Sequence, residues 1–185
     1  MSPEPISKTH RIVITGAPAS GKSDFLARLR GESFCRDLVF LPEIARSLLE
    51  SNPDYRHNWG VFHREVYRRQ TAQEDALVDQ SFITDRGTCD AFAFHPETAA
   101  DVGTTIAREY ARYNLVIQLE SAANLGAEFY VQDDVRIESI EDVLAIEAVT
   151  TRVWHEHPDY RFVPAEEDVE VKYRRVVEIL RGRLG

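Results

Sequence analysis

Apolar residues fall along this chain in short compact runs, separated by stretches with a helical period. The first run, Arg11-Ile12-Val13-Ile14-Thr15, is β-branched through most of its length and too short for a helix, so it predicts a buried strand. Runs of the same kind recur at 37–41, 81–85, 114–119 and 160–163. Helical stretches fill the gaps. One runs from Asp24 to near Gly31, and one begins at Glu43 once Pro42 has closed the second strand. A long one covers about 60–80, a short one follows the loop that starts at Gly87, and another covers 99–112. Ser139-Ile140-Glu141-Asp142 is a capping-box signature opening a helix that runs to Trp154. The last segment sets Val169, Tyr173, Val176, Val177, Leu180 and Leu184 on one face. Residues 1–8 show two prolines and no period, and read as a flexible tail; 120–138 is the least regular internal stretch, with a lid-like character. Strands alternating with helices predict an α/β fold: a five-stranded parallel sheet covered by helices on both faces, forming a single domain over 9–185.

Ligands of such sheets bind at the carboxyl ends of the strands. The residues after the first strand, Gly16-Ala17-Pro18-Ala19-Ser20-Gly21-Lys22-Ser23, match the P-loop spacing, two glycines five apart followed by lysine and serine. Strand, glycine-bearing loop and helix form the context in which this spacing binds phosphate. The helix start supplies unpaired N–H groups and a positive dipole end, and glycines allow close backbone approach. Gly16 through Ser23, with Asp24 in the first helical turn, are therefore the expected nucleotide-binding residues. Lys22 is expected to reach the β- and γ-phosphates of ATP and Ser23 to ligate Mg²⁺.

Composition narrows the partners. The chain has 185 residues, enough for a full hydrophobic core, with 22 basic against 31 acidic residues and a net charge of −9. That balance argues against a general nucleic-acid binder and leaves room for a small anionic ligand in a locally basic pocket. No run approaches the roughly twenty apolar residues of a membrane helix. The first residues lack the pattern of a secretory signal, and Cys35 and Cys89 lack metal-ligand spacing, so a cytoplasmic protein with reduced thiols is expected.

The other strand ends carry candidate chemistry. Asp85 ends the third strand, where a P-loop protein holds its metal; the alternative role is a cap on the following helix. Glu43 follows the second strand and is placed to accept a proton from an acceptor hydroxyl; the alternative is an acid in a helix first turn. Asp85 and Glu43 can also exchange these roles. Arg46, one helical turn after Glu43, shares its face, and Arg86 is free to orient Glu43 or a substrate. Arg64 is a further candidate on the acceptor side, and Arg136, in the irregular segment, is a candidate closing clamp. His155 and His157 are not four apart on one helix face, and read as surface residues.

The P-loop, together with Pro42-Glu43-Ile44-Ala45-Arg46 and Thr84-Asp85-Arg86-Gly87, resembles the AAA-type P-loop family that includes the nicotinamide-riboside kinase domain of NadR proteins and bacterial predicted ATPases. The layout is also similar to deoxynucleoside kinases, which place a glutamate base after the second strand and an acid-arginine pair after the third. That resemblance implies Glu43 as base and Arg86 as its neighbour. This chain departs from it in following the arginine with Gly87-Thr88-Cys89-Asp90. The expected function is a kinase that transfers the γ-phosphoryl of Mg-ATP to a hydroxyl of a nucleoside-like small molecule. The alternative is a nucleotide-binding ATPase- or GTPase-like module acting through a protein partner; the guanine-reading Asn-Lys-x-Asp sequence is absent.

Overall fold

The computed structural model describes residues 9–130 and 138–185; the expected tail at 1–8 lies outside them. Five strands, β1 (Arg11–Thr15), β2 (Val39–Leu41), β3 (Phe82–Asp85), β4 (Leu115–Leu119) and β5 (Tyr160–Val163), form one all-parallel sheet in the order β2-β3-β1-β4-β5. The phosphate-loop strand β1 is therefore central, with β3 on one side and β4 on the other. Around the sheet lie α1 (Lys22–Leu29), α2 (Ile44–Ser51), α3 (Trp59–Asp75), α4 (Thr88–Phe94), α5 (Thr98–Asp101), α6 (Ile106–Tyr110), α7 (Ile140–Trp154) and α8 (Val169–Leu184).

Side chains alternate across a strand, so β1 feeds two cores. Ile12 and Ile14 join Phe25 and Leu29 of α1 and Tyr173, Val176 and Leu180 of α8. Val13, on the opposite face, joins Phe92 of α4 and Val153 and Trp154 of α7. Trp154 is wholly buried, stacked on Tyr110 and edge-on to Tyr113. Both faces of the sheet are covered, as a parallel sheet requires.

Three expectations are corrected. The helix expected over 99–112 is two short ones, α5 and α6. Gly103 takes the left-handed conformation (φ 70°) that ends helices, and Thr105 caps α6 by accepting from the Arg108 N–H. The long helix stops at Asp75, and turns carry the chain through 76–80. His157 is buried, not a surface residue. Its Nε2 lies 3.1 Å from the Tyr113 carbonyl, and its Nδ1 accepts from the Asp159 N–H at 3.1 Å.

Candidate active site

The P-loop joins β1 to α1. Gly16 (φ 148°) passes so close to β4 that a Cβ there would lie 2.4 Å from the Leu119 carbonyl oxygen, which leaves glycine alone at this position. Gly21 (φ 90°) and Ala19 (φ 58°) also turn through positive φ. Loop carbonyls are held from outside. The Ser121 hydroxyl donates to the Pro18 carbonyl (2.6 Å), the Ala122 N–H to Ala19 (3.1 Å), and the Lys172 ammonium to Ser20 (2.7 Å). Lys22 is itself buried, and its ammonium donates to the Gly16 carbonyl at 2.9 Å. Burial, followed by the nearby charge of Arg86, pulls its pKa down to about 8 against the opposing pull of Asp85, Glu43 and Asp90. Ser23 and Asp24 are exposed in the first turn of α1.

Arg86 organises the neighbouring charges. Its backbone is left-handed (φ 68°), uncommon for a residue with a Cβ, and its carbonyl accepts from the Thr84 hydroxyl at 2.8 Å. The guanidinium donates to Glu43 Oε1 at 3.1 Å and to Asp90 Oδ1 at 3.2 Å. Glu43 precedes α2, yet its side chain caps nothing and turns instead to Arg86. Burial pushes the Glu43 carboxyl up, but Arg86 and Lys22 more than offset this and leave it below the ordinary value.

The capping alternative for Asp85 fails in this geometry. The Gly87 N–H at the start of α4 is taken by Asp90 Oδ2 at 2.9 Å. Asp90 also accepts from the Thr15 hydroxyl (2.7 Å) and the Trp154 indole N–H (3.2 Å), which fixes it as the buried support of Arg86. Sequence reasoning missed this role, although the four-residue spacing from Arg86 on a helix start carried the signal. Asp85 is different. Burial raises its pKa, with Lys22 opposing, and its Oδ1 is buried without a hydrogen-bond partner among the described residues. Asp85 and Ser23 line the same cleft beside α1. An unpaired buried carboxylate oxygen in a cleft shared with a hydroxyl suits Mg²⁺, which takes one or two carboxylates and completes its shell with phosphate and water. The residues present therefore fit the ion.

Two larger clefts meet here. A cleft of about 390 Å³ runs over the P-loop from Pro18 to Asp24. A second, of about 640 Å³, is walled by Trp59, Phe62 and His63 of α3 and Phe94 of α4. Glu43, Arg46 and Arg86 line both. The Arg46 side chain makes no hydrogen bond or ion pair among the described residues. His63 stacks on Phe94 (6.1 Å) and His95 (5.8 Å), and burial, then the His95 charge, lower its pKa to about 4. Gln70 adds a buried amide to this cleft, donating to Glu74 and Thr84. Trp59, Phe62, His63, Phe94 and Gln70 were not singled out from sequence, because only the sheet brings α3 beside α4.

Of the expected site residues, the P-loop, Glu43, Arg46, Asp85 and Arg86 converge. Arg64 does not; it pairs with Asp101 at 2.8 Å and lines neither cleft. Arg56, from the 3-10 turn Pro53–His57, lines the aromatic cleft along with Arg46 and Arg86. Arg136 lies outside the described residues. The expected lid is described over 120–130 and at 138, and its first part, Ser121 and Ala122, braces the P-loop directly.

Comparison with known proteins agrees with this geometry. A family model described as an AAA domain matches residues 11–172. No curated protein matches the chain. Among solved structures, deoxyadenosine kinase from M. mycoides, determined with dCMP and a flexible dCDP bound, is similar with a TM-score of 0.63. The match covers 93% of this chain and 99% of that one at 12% identity, a likeness of fold. The chain belongs to the AAA domain family and has the α/β fold of the P-loop phosphotransferases and nucleoside-triphosphate hydrolases.

Proposed function

We propose that this protein is a kinase that transfers the γ-phosphoryl group of ATP to a hydroxyl of a nucleoside-like acceptor. One observation carries the reading: a phosphate cradle and an aromatic-walled cleft share Glu43, Arg46 and Arg86 as their common wall. A hydrolase needs only the cradle. A second cleft, faced by flat rings and opening onto a carboxylate, supports an organic acceptor with a planar heterocycle and a hydroxyl.

Each residue then has a part. The P-loop N–H groups and Lys22 bind the β- and γ-phosphates, with Lys22 exchanging its loop carbonyls for phosphate oxygens. Ser23 and Asp85 would hold Mg²⁺, which would offset phosphate charge. Glu43, ionised at neutral pH, accepts the proton of the acceptor hydroxyl. The hydroxyl oxygen forms the new bond to the γ-phosphorus as the bond to the β,γ-bridging oxygen breaks, and ADP departs with that electron pair. Arg86 keeps Glu43 aimed across the boundary, and Arg46 faces the phosphates. Catalysis is mainly positioning and charge neutralisation.

The test is ADP release from Mg-ATP with and without a panel of ribonucleosides, deoxynucleosides and nicotinamide riboside, the last following the resemblance to the NadR kinase domain. An acceptor-dependent rise that is absent in Lys22→Ala is expected. Tight ATP binding with no acceptor effect would sink the kinase reading in favour of a module whose partner is another protein.

A further inference from the structure

Lys172 lies on α8, far from the P-loop in sequence, and is only 5% exposed. Its ammonium donates to two carbonyl oxygens, Ser20 at 2.7 Å and Glu120 at 2.5 Å. A lysine buried for fold alone is usually matched to a carboxylate. Here the neighbouring carboxylates are committed elsewhere. Glu120 accepts from the Ala165 N–H at 2.7 Å, and Glu147 accepts from the Ser121 N–H and the Asn124 amide. The buried charge is thus spent on backbone, half of it on the phosphate loop.

The geometry of a trans peptide gives this contact a consequence. No cis bond occurs among the described residues, so the Gly21 N–H points opposite to the Ser20 carbonyl. That N–H has no hydrogen-bond partner among the described residues, and Gly21 lines the P-loop cleft. We infer that Lys172 is a positioning residue of the nucleotide site: by holding the Ser20 carbonyl outward it turns the Gly21 N–H inward, toward the phosphates, and polarises that amide as a donor. The inference rests on the nucleotide-binding reading given above.

The rest of α8 supplies a control. Glu170, on the same helix, forms a two-pronged ion pair with Arg28 of α1 (2.8 and 2.7 Å) and touches no loop carbonyl. The experiment measures Kd for ATP, ADP and inorganic tripolyphosphate in wild type, Lys172→Met and Glu170→Ala, each first checked for a cooperative melt. Lys172→Met is expected to weaken all three ligands about tenfold, one lost charge-assisted contact, since they share the phosphates. Glu170→Ala is expected to stay within about twofold of wild type, as an exposed ion pair contributes little. Wild-type affinity in folded Lys172→Met, or an equal loss in Glu170→Ala, overturns the inference. If Lys172→Met does not fold, Lys172→Leu removes the ammonium with a similar apolar stem, and unchanged ATP affinity there overturns it equally. Wild type that binds no nucleotide overturns the underlying reading itself, a result distinct from either variant outcome.

Discussion

At the scale of single residues, Arg86 sits in a left-handed backbone that a side chain ordinarily avoids, and two carboxylates hold it there. Lysine is a poor replacement, because one ammonium cannot reproduce a planar fork. Arg86→Lys is expected to lower kcat/KM about a hundredfold, with smaller change in ATP affinity, read from initial rates over an acceptor series. Glu43→Gln removes the proton acceptor and should cost kcat roughly 10²–10⁴ while leaving the Kd for ATP near wild type; a variant with full kcat would exclude Glu43 as base. Lys22 gives a pH signature. Its folded-state pKa of about 8 lies below the ordinary 10.5, so the free site loses this positive charge as pH rises through 8. ATP affinity should then fall by up to about tenfold per pH unit above 8, with net proton uptake on binding at pH 8.5, detectable by calorimetry in buffers of different ionisation enthalpy. A flat affinity from pH 7 to 9.5 would contradict it. The same sign makes the buried Lys22 charge a cost to folding below pH 8, relieved between 8 and 10.5. Most of these residues were legible, since P-loop spacing and strand-end acids carry their own chemistry. The bent backbone of Arg86 was not, because no local pattern announces positive φ at an arginine.

At the scale of elements, the junction of β3 with α4 is closely packed. A Cβ on Gly87 would come within 2.9 Å of Val13 and 3.0 Å of the Trp154 ring. Its backbone is extended (φ −121°), so the obstacle is space, not conformation. Gly87→Ala is expected to destabilise by about 1–3 kcal/mol, measured by urea unfolding, as overpacking does. A neutral result would mean that Trp154 can shift while keeping its bond to Asp90. Helix ends were read well where capping chemistry marked them, as at Ser139, whose hydroxyl accepts from the Asp142 N–H. The helix over 99–112 was misread because its apolar spacing continues through Gly103, and spacing alone does not register one glycine turning left. The aromatic cleft was illegible for another reason. Trp59 and Phe94 lie on different helices, and their roughly half-exposed rings match no local signature.

For the whole molecule, alternating strands and helices made the fold class readable, but many strand orders obey that alternation. Which strand stands in the centre is decided by packing between distant segments, Ile12 beside Ile83 on one side and Leu115 on the other. A ligand held by so many separate segments should stabilise all of them together. Mg-ATP at a hundred times its Kd is expected to add about 2.7 kcal/mol, seen as an upward shift in melting temperature that Lys22→Ala abolishes. The central place of β1 also has a consequence in time. The ribosome makes the phosphate loop before its neighbouring strands β3 and β4, its Ser121 brace and the lysine of α8. A growing chain thus carries every letter of the motif long before it carries the cradle, and acquires its full hold on nucleotide only once α8 has been made.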